Sequence, residues 1–206
     1  MRAIIMVVFV FFCSTANAMT YKEVGQNETN FYKNPSNELF QNIQLGIDEN
    51  IEQIKSNKNN VFLLDIVFIS CVHKKYNWPI ASTAMSKYVK QALDSSTKLG
   101  AYLQDDSIVD LMKLDVWWVS YFATGESVYL DKLSTYVGIK QKENETNMVY
   151  HAANWSYRAN CRQHKSVAEH ARSLLSLDTL SPEKREYLES CLKSNNSANK
   201  AMQGTP

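Results

Sequence analysis

The chain has 206 residues and a formal net charge of +1 at pH 7, and it contains only 6 glycines and 4 prolines. The near-neutral charge argues against nucleic-acid binding, which selects basic surfaces. The lysines and arginines are scattered along the chain, so they do not form the polybasic patch of a membrane-surface protein. Because few turn-forming residues are present, the composition predicts an all-α protein.

Residues 1–18 contain the three parts of a secretory signal peptide. Arg2 supplies the positive charge, residues 3–12 form the apolar stretch, and Ala16-Asn17-Ala18 is a small-x-small cleavage site. The apolar stretch is too short for a membrane span, which needs about 20 residues. We therefore expect cleavage after Ala18 and an exported protein, periplasmic or secreted, with no stable membrane anchor after cleavage.

The rest of the chain divides into three parts by composition. Residues 19–34 are polar and predict a flexible lead-in. Residues 35–193 carry apolar residues at helical spacing and are long enough for one helical domain with a continuous core. Residues 194–206 are rich in Asn, Ser and Lys and predict a disordered tail.

The first helix is predicted from Asn34-Pro35, an N-cap followed by a proline, to about Lys55. The next segment, Val61 to His73, is ambiguous because its β-branched residues would also suit a buried strand. The chain offers no partner strand, and a lone strand would leave its backbone groups unpaired. We therefore predict a buried helix there.

Further helices are predicted by apolar periodicity and by capping residues. Acidic residues open one of them at Asp105-Asp106 and Gly125 closes it, Ser166 and Glu169 form a capping box, and Ser181-Pro182 starts the last. Their expected spans are Ala81–Leu93, Asp105–Ala123, Ser127–Val137, Glu145–Arg162, and two helices that start at Ser166 and Ser181. Short breaks between them predict an irregular stack of antiparallel helical hairpins.

Two blocks carry the most distinctive sequence: Trp117-Trp118-Val119-Ser120-Tyr121-Phe122-Ala123-Thr124-Gly125 and Ala152-Ala153-Asn154-Trp155-Ser156. Together they resemble a family of uncharacterised exported bacterial helical proteins, in which an aromatic helix ends in Phe-Ala-Thr-Gly and a later helix carries Ala-Ala-x-Trp-Ser. The resemblance covers residues 60–175. It implies an all-helical fold and no established activity, so it assigns no catalytic residue to this chain.

The aromatic and cationic residues of these blocks are the candidate binding residues. Trp117 and Tyr121 are either buried in the core or line a groove that holds a partner helix, peptide or glycan. Trp155 lies close to Arg158 around its helix, which suits either a cation-bearing ligand surface or a solvated edge.

Two carboxylates, Asp65 and Asp115, lie among apolar residues of their predicted helices. A buried acid must find hydrogen bonds or lose its charge, and most such residues bind a backbone or indole N–H in the core. If the two faced each other across a cleft, they would suit a general acid and a general base. That is the alternative hypothesis, an enzyme acting on envelope material.

Three cysteines follow the predicted cleavage site: Cys71, Cys161 and Cys191. They are either small buried residues or include one disulfide, for which Cys161 and Cys191 are the best pair. Each lies near the C-terminal end of a predicted helix, and alternate helices of an up-down array run parallel, although Cys161 is expected to point away from the apolar face. The histidines show no metal spacing, and no cofactor is expected.

Taken together, these patterns favour a macromolecular binding or interaction module. Its expected partner is a protein or peptide of the cell envelope, bound by Trp117, Tyr121, Trp155 and Arg158. A variant of this hypothesis is an immunity or chaperone partner of a toxic exported protein.

Overall fold

The computed structural model describes residues 19–57, 60–139 and 147–203, the last ten as backbone only. Throughout these ranges the regular structure is helical, which confirms the all-α prediction. One 3-10 helix, Phe31–Lys33, follows the first of the α-helices, which are α1 Tyr21–Asn30, α2 Asn37–Glu49, α3 Ile51–Ser56, α4 Val61–Tyr76, α5 Ser86–Leu93, α6 Lys98–Gln104, α7 Leu111–Thr124, α8 Ser127–Ser134, α9 Met148–Gln163, α10 Lys165–Leu175 and α11 Pro182–Gln203. The predicted signal peptide lies outside the described residues. No described helix is both long and apolar enough to span a membrane.

Helix α7 occupies the centre of the fold and packs most extensively on α4 and α8. It separates two groups of buried side chains. The N-terminal core comes from α1 to α5 and the 3-10 helix and includes Phe31, Phe40, Phe68 and Met85. The C-terminal core comes from α7 to α11 and includes Trp118, Tyr157, Val167 and Leu188. Because α7 serves both cores, it carries apolar residues on nearly every side.

The prediction that Val61 to His73 forms a buried helix is confirmed by α4. Six consecutive residues, 65–70, are buried, which is the pattern of a helix with neighbours on several sides. A helix satisfies its backbone groups internally, so its β-branched residues can lie in the core without partner strands.

A helix replaces the flexible lead-in expected over residues 19–34. Thr20 and Glu23 form a capping box at the start of α1. Val24 on α1 and Phe31 just after it are buried in the N-terminal core. Gly46 on α2 lets α1 approach closely, since a Cβ atom there would lie 2.7 Å from Cγ2 of Val24. Long-range packing of these few apolar residues therefore orders a segment whose local composition is polar.

Several helix ends differ from the sequence-based expectation. The central helix begins at Leu111 with Asp110 as its N-cap, because Asp105 instead accepts hydrogen bonds from Ser107 in a local turn. Helix α10 begins one residue before Ser166, whose hydroxyl bonds Tyr32 rather than capping the helix. The backbone of α11 continues as a helix to Gln203, through most of the tail expected to be disordered.

Two other ends agree with the sequence. Gly125 closes α7 in the left-handed conformation, with a φ of 69°, and Pro182 starts α11.

Candidate functional site

A cavity of about 580 Å³ lies between α4, α5, α6, α7 and α8. We call it the Trp117 cavity, because Trp117 contributes the largest side chain to its wall. Apolar residues from four of these helices form part of its surface: Val67, Ala92, Leu93, Leu103 and Val116. Its volume falls in the range of sites that bind small molecules or short peptide segments, about 300–1,000 Å³.

Asp106 organises one side of the Trp117 cavity. Its Oδ1 accepts a hydrogen bond from Nε1 of Trp117 at 3.3 Å, and its Oδ2 lies 2.6 Å from Nζ of Lys132. Both carboxylate oxygens are thus engaged, and the charge of Asp106 is compensated by Lys132. The contact also fixes the indole, which is only 3% exposed.

The hydroxyl groups of Ser120 and Tyr129 and the thiol of Cys71 also line the Trp117 cavity. Sγ of Cys71 donates a hydrogen bond to Oγ of Ser120 at 3.4 Å. Burial raises the pKa of Cys71, and burial followed by the nearby Cys71 raises the pKa of Tyr129 to about 12. Both groups are therefore neutral at physiological pH, so neither is an activated nucleophile.

His73 contributes the remaining titratable ring of the cavity wall. Its Nδ1 lies 2.7 Å from the backbone oxygen of Trp78, so Nδ1 carries a hydrogen and donates it. In the neutral ring this leaves Nε2 as an acceptor.

The four predicted binding residues lie in separate places rather than in one groove. Trp117 lines the cavity described above, whereas Tyr121 lines a second cavity of about 490 Å³ bounded by α7, α8 and α10. Helix α8 separates the two, because its Tyr129 faces the first cavity and its Asp131 faces the second.

Trp155 and Arg158 lie on α9, away from both of these cavities. Trp155 is 76% exposed. The guanidinium of Arg158 lies 5.4 Å from the ring centre of Tyr187 and donates to Ser190 on α11. Arg158 therefore packs against its neighbouring helix, and Trp155 stands alone on the surface as the most exposed large apolar side chain of the described residues.

The two predicted carboxylates also lie apart. Asp65 is buried beside Glu28 of α1, and burial raises the pKa of both groups, that of Asp65 to about 7. Asp115 is exposed, so the expectation that it is buried is wrong. Asp115 lies one turn after Leu111, which is exposed as well, so the two residues share the exposed side of α7. Partial desolvation still raises the pKa of Asp115.

A hydrogen-bonded Asp-His-Tyr series that the sequence analysis did not find crosses the C-terminal core. Asp131 Oδ1 lies 2.8 Å from Nε2 of His170, and Nδ1 of His170 lies 2.8 Å from the hydroxyl of Tyr157. Tyr157 is fully buried and burial raises its pKa, so its hydroxyl meets no substrate. The spacing of these residues in the sequence matches no known motif, so only the folded structure shows that they meet.

The predicted disulfide partners lie close together. Cys161 and Cys191 are both buried, so the expectation that Cys161 points away from the core is wrong. Burial, and then the nearby Cys191, raise the pKa of Cys161 to about 11. Within the described part of the chain the cysteines are thiols.

No three His, Cys, Asp or Glu side chains in the described residues are grouped so that they could hold a metal ion. No protein family, curated protein or solved structure matches this chain. The resemblance to exported helical proteins therefore stays a prediction.

Proposed function

We propose that this protein is an exported binding module and that its binding site is the Trp117 cavity. The observation that carries the proposal is a cleft of about 580 Å³ whose walls combine apolar and polar side chains from several helices with a buried tryptophan held by Asp106. Such a combination of apolar surface and a few fixed polar groups is typical of ligand sites.

The chemistry of the cavity supports binding over catalysis. Cys71 and Tyr129 stay protonated, and both oxygens of Asp106 are engaged by neighbouring groups. The carboxylates of the alternative enzyme hypothesis are elsewhere: Asp65 is paired with Glu28, and Asp115 is on the exposed side of α7. An acid and a base that share one substrate must lie within reach of the same reacting atoms.

The partner that we propose is a protein or peptide of the cell envelope that inserts one segment into the Trp117 cavity. A protein surface alone would leave the cavity solvated, whereas an inserted apolar side chain would bury its walls and act as an anchor. We include export in the proposal because residues 1–18 have the pattern of a signal peptide.

The test compares two variants that make the same substitution at different exposed sites. Gln104→Trp places a bulky ring at the edge of the Trp117 cavity, and Gln53→Trp places one on α3 outside it. Immobilised chains of residues 19–206 would be used to capture partners from the envelope fraction of the source cell, with quantitative mass spectrometry of what is retained. Circular dichroism would check that each variant is folded.

We expect wild type and Gln53→Trp to retain the same partner, and Gln104→Trp to lose it by about tenfold or more, corresponding to about 1.4 kcal/mol. Equal retention by both variants would show that the partner binds elsewhere and would refute the proposed site. Retention by none of the three proteins would count against the binding function itself.

A further inference from the structure

The edge of the Trp117 cavity carries three side chains that can donate hydrogen bonds and that have no partner for them. These are the ammonium of Lys74 and the amides of Asn77 and Gln104. Within the described ranges, no side chain or backbone oxygen accepts from any of the three. All three are exposed, so water solvates them until a ligand arrives.

The carboxylate that lines the same cavity is already engaged, because Asp106 accepts from Trp117 and lies in an ion pair with Lys132. Lys132 neutralises Asp106, whereas no carboxylate of the described residues forms an ion pair with Lys74. The edge therefore offers one uncompensated positive charge and spare donors, which favours a ligand group that is negative and only accepts.

One part of the cavity wall has the opposite character. Val67 of α4, Leu103 of α6 and Val116 of α7 contribute apolar surface, and the ring of Trp117 lies beside them. The part of a ligand that lies against these side chains must be apolar, since burying an unpaired polar group there is unfavourable.

Resting on the proposed function, we propose that the ligand of the Trp117 cavity is an amphipathic carboxylate. Its apolar body occupies the interior, and its carboxylate meets Lys74, Asn77 and Gln104 at the edge. The carboxyl terminus of a peptide with apolar last residues has this chemistry, and so does a free medium-chain acid.

The experiment titrates three probes into the chain of residues 19–206 by calorimetry. The probes are N-acetyl-Leu-Phe with a free carboxyl terminus, the same dipeptide as its terminal amide, and decanoate. Lys74→Gln removes the proposed counter-charge. Lys87→Gln is the matched control, because Lys87 is an exposed lysine on α5 that does not line the cavity.

We expect the free acid to bind at least tenfold more tightly than the amide. Lys74→Gln should lose this preference and Lys87→Gln should keep it. Binding of the free dipeptide identifies a peptide terminus as the source, and binding of decanoate alone identifies a free acid; either result supports the carboxylate assignment if it depends on Lys74.

Two results overturn the assignment. Equal affinity for acid and amide would remove the role of the carboxylate while leaving the cavity as a binding site. If none of the probes binds but partner capture still depends on position 104, the carboxylate assignment is wrong and the proposed function stands. If none of the probes binds and capture does not depend on position 104, the proposed site is rejected as well.

Discussion

Glu28 on α1 and Asp65 on α4 form a carboxyl pair buried between the two helices. Oε1 of Glu28 and Oδ2 of Asp65 are both buried and have no hydrogen-bond partner among the described residues. Two ionised carboxylates would repel strongly in this position, so the folded protein retains protons on the pair. Tyr21 lies nearby, and its pKa is raised by burial and then by Asp65.

The pair makes stability depend on pH. An aspartate in the unfolded chain ionises near pH 4, whereas Asp65 in the folded protein ionises at about 7. Between these values the folded state binds more protons than the unfolded state, so this contribution to the free energy of unfolding falls as the pH rises. Asp65→Asn cannot ionise and should remove the part of this fall that Asp65 contributes, which we expect to be on the order of 2 kcal/mol between pH 4 and 8.

Urea unfolding of wild type and Asp65→Asn across this pH range measures the difference. Glu38→Gln serves as control, because Glu38 is exposed on α2, and it should follow the wild-type curve. If the difference in the free energy of unfolding between wild type and Asp65→Asn is constant with pH, Asp65 does not retain a proton in the folded protein.

His164 should act on stability with the opposite sign. It is buried and its Nδ1 lies 3.0 Å from the hydroxyl of Tyr32. Burial, and then the nearby Lys33, lower its pKa to about 4. The unfolded chain takes up the proton near pH 6.5, so stability is lost as the pH falls from there towards 4.

The variant His164→Gln keeps an acceptor and cannot be protonated in this range. Relative to it, wild type should lose about 2 kcal/mol between pH 7 and 4. The same unfolding titration tests this, with the exposed His151→Gln as control. Parallel curves for wild type and His164→Gln would refute the assignment. Asp65 and His164 change the free energy of unfolding in opposite directions as the pH changes. The pH dependence of the wild-type protein alone would therefore not reveal either effect.

Two glycines should respond in opposite directions to alanine. Gly25 lies in the middle of α1, where an added Cβ atom meets nothing within 4 Å, so Gly25→Ala should raise the free energy of unfolding by about 0.5–1 kcal/mol. Gly125 has a positive φ, so Gly125→Ala should lower it by about 1 kcal/mol. Thermal and urea unfolding measure both. Gly125→Asn should cost less than Gly125→Ala, and the reverse order would contradict the backbone explanation.

The neighbouring thiols of Cys161 and Cys191 should oxidise to a disulfide in an oxidising compartment. Protein isolated by export would then show one reactive thiol after unfolding, that of Cys71, and chemical reduction would expose the other two. Thiol titration and intact mass measure the change. The bridge should stabilise the protein by about 3 kcal/mol, since it closes a long loop of the unfolded chain. Reactivity of all the cysteines without reduction would rule it out.

Cleavage after Ala18 would leave Met19 as the first residue, directly before the cap of α1 at Thr20. The intact mass of the exported protein should match a chain that starts at Met19. Ala16→Leu should block processing, because signal peptidase requires a small residue there. Asn17→Gln, at the position between the two alanines, should be processed normally. If exported wild-type protein still contains residues 1–18, the predicted cleavage of a signal peptide is wrong.

The sequence by itself determined the features that depend on neighbouring residues. The absence of a possible partner strand indicated that α4 is a helix despite its strand-like composition, and Gly125 and Pro182 marked helix ends because their backbone preferences are local. Trp117 combines features of both interpretations of the aromatic block, because its side chain is buried and also lines a cavity.

Only the tertiary structure decided which distant residues meet. Helix α1 forms because Val24 and Phe31 find the N-terminal core, and the pairing of Asp65 with Glu28 follows from that docking. The Trp117 cavity needs five helices at once. Local pattern fixes backbone conformation through short-range sterics and hydrogen bonds, whereas burial, pKa shifts and cavities come from contacts between residues far apart in the chain.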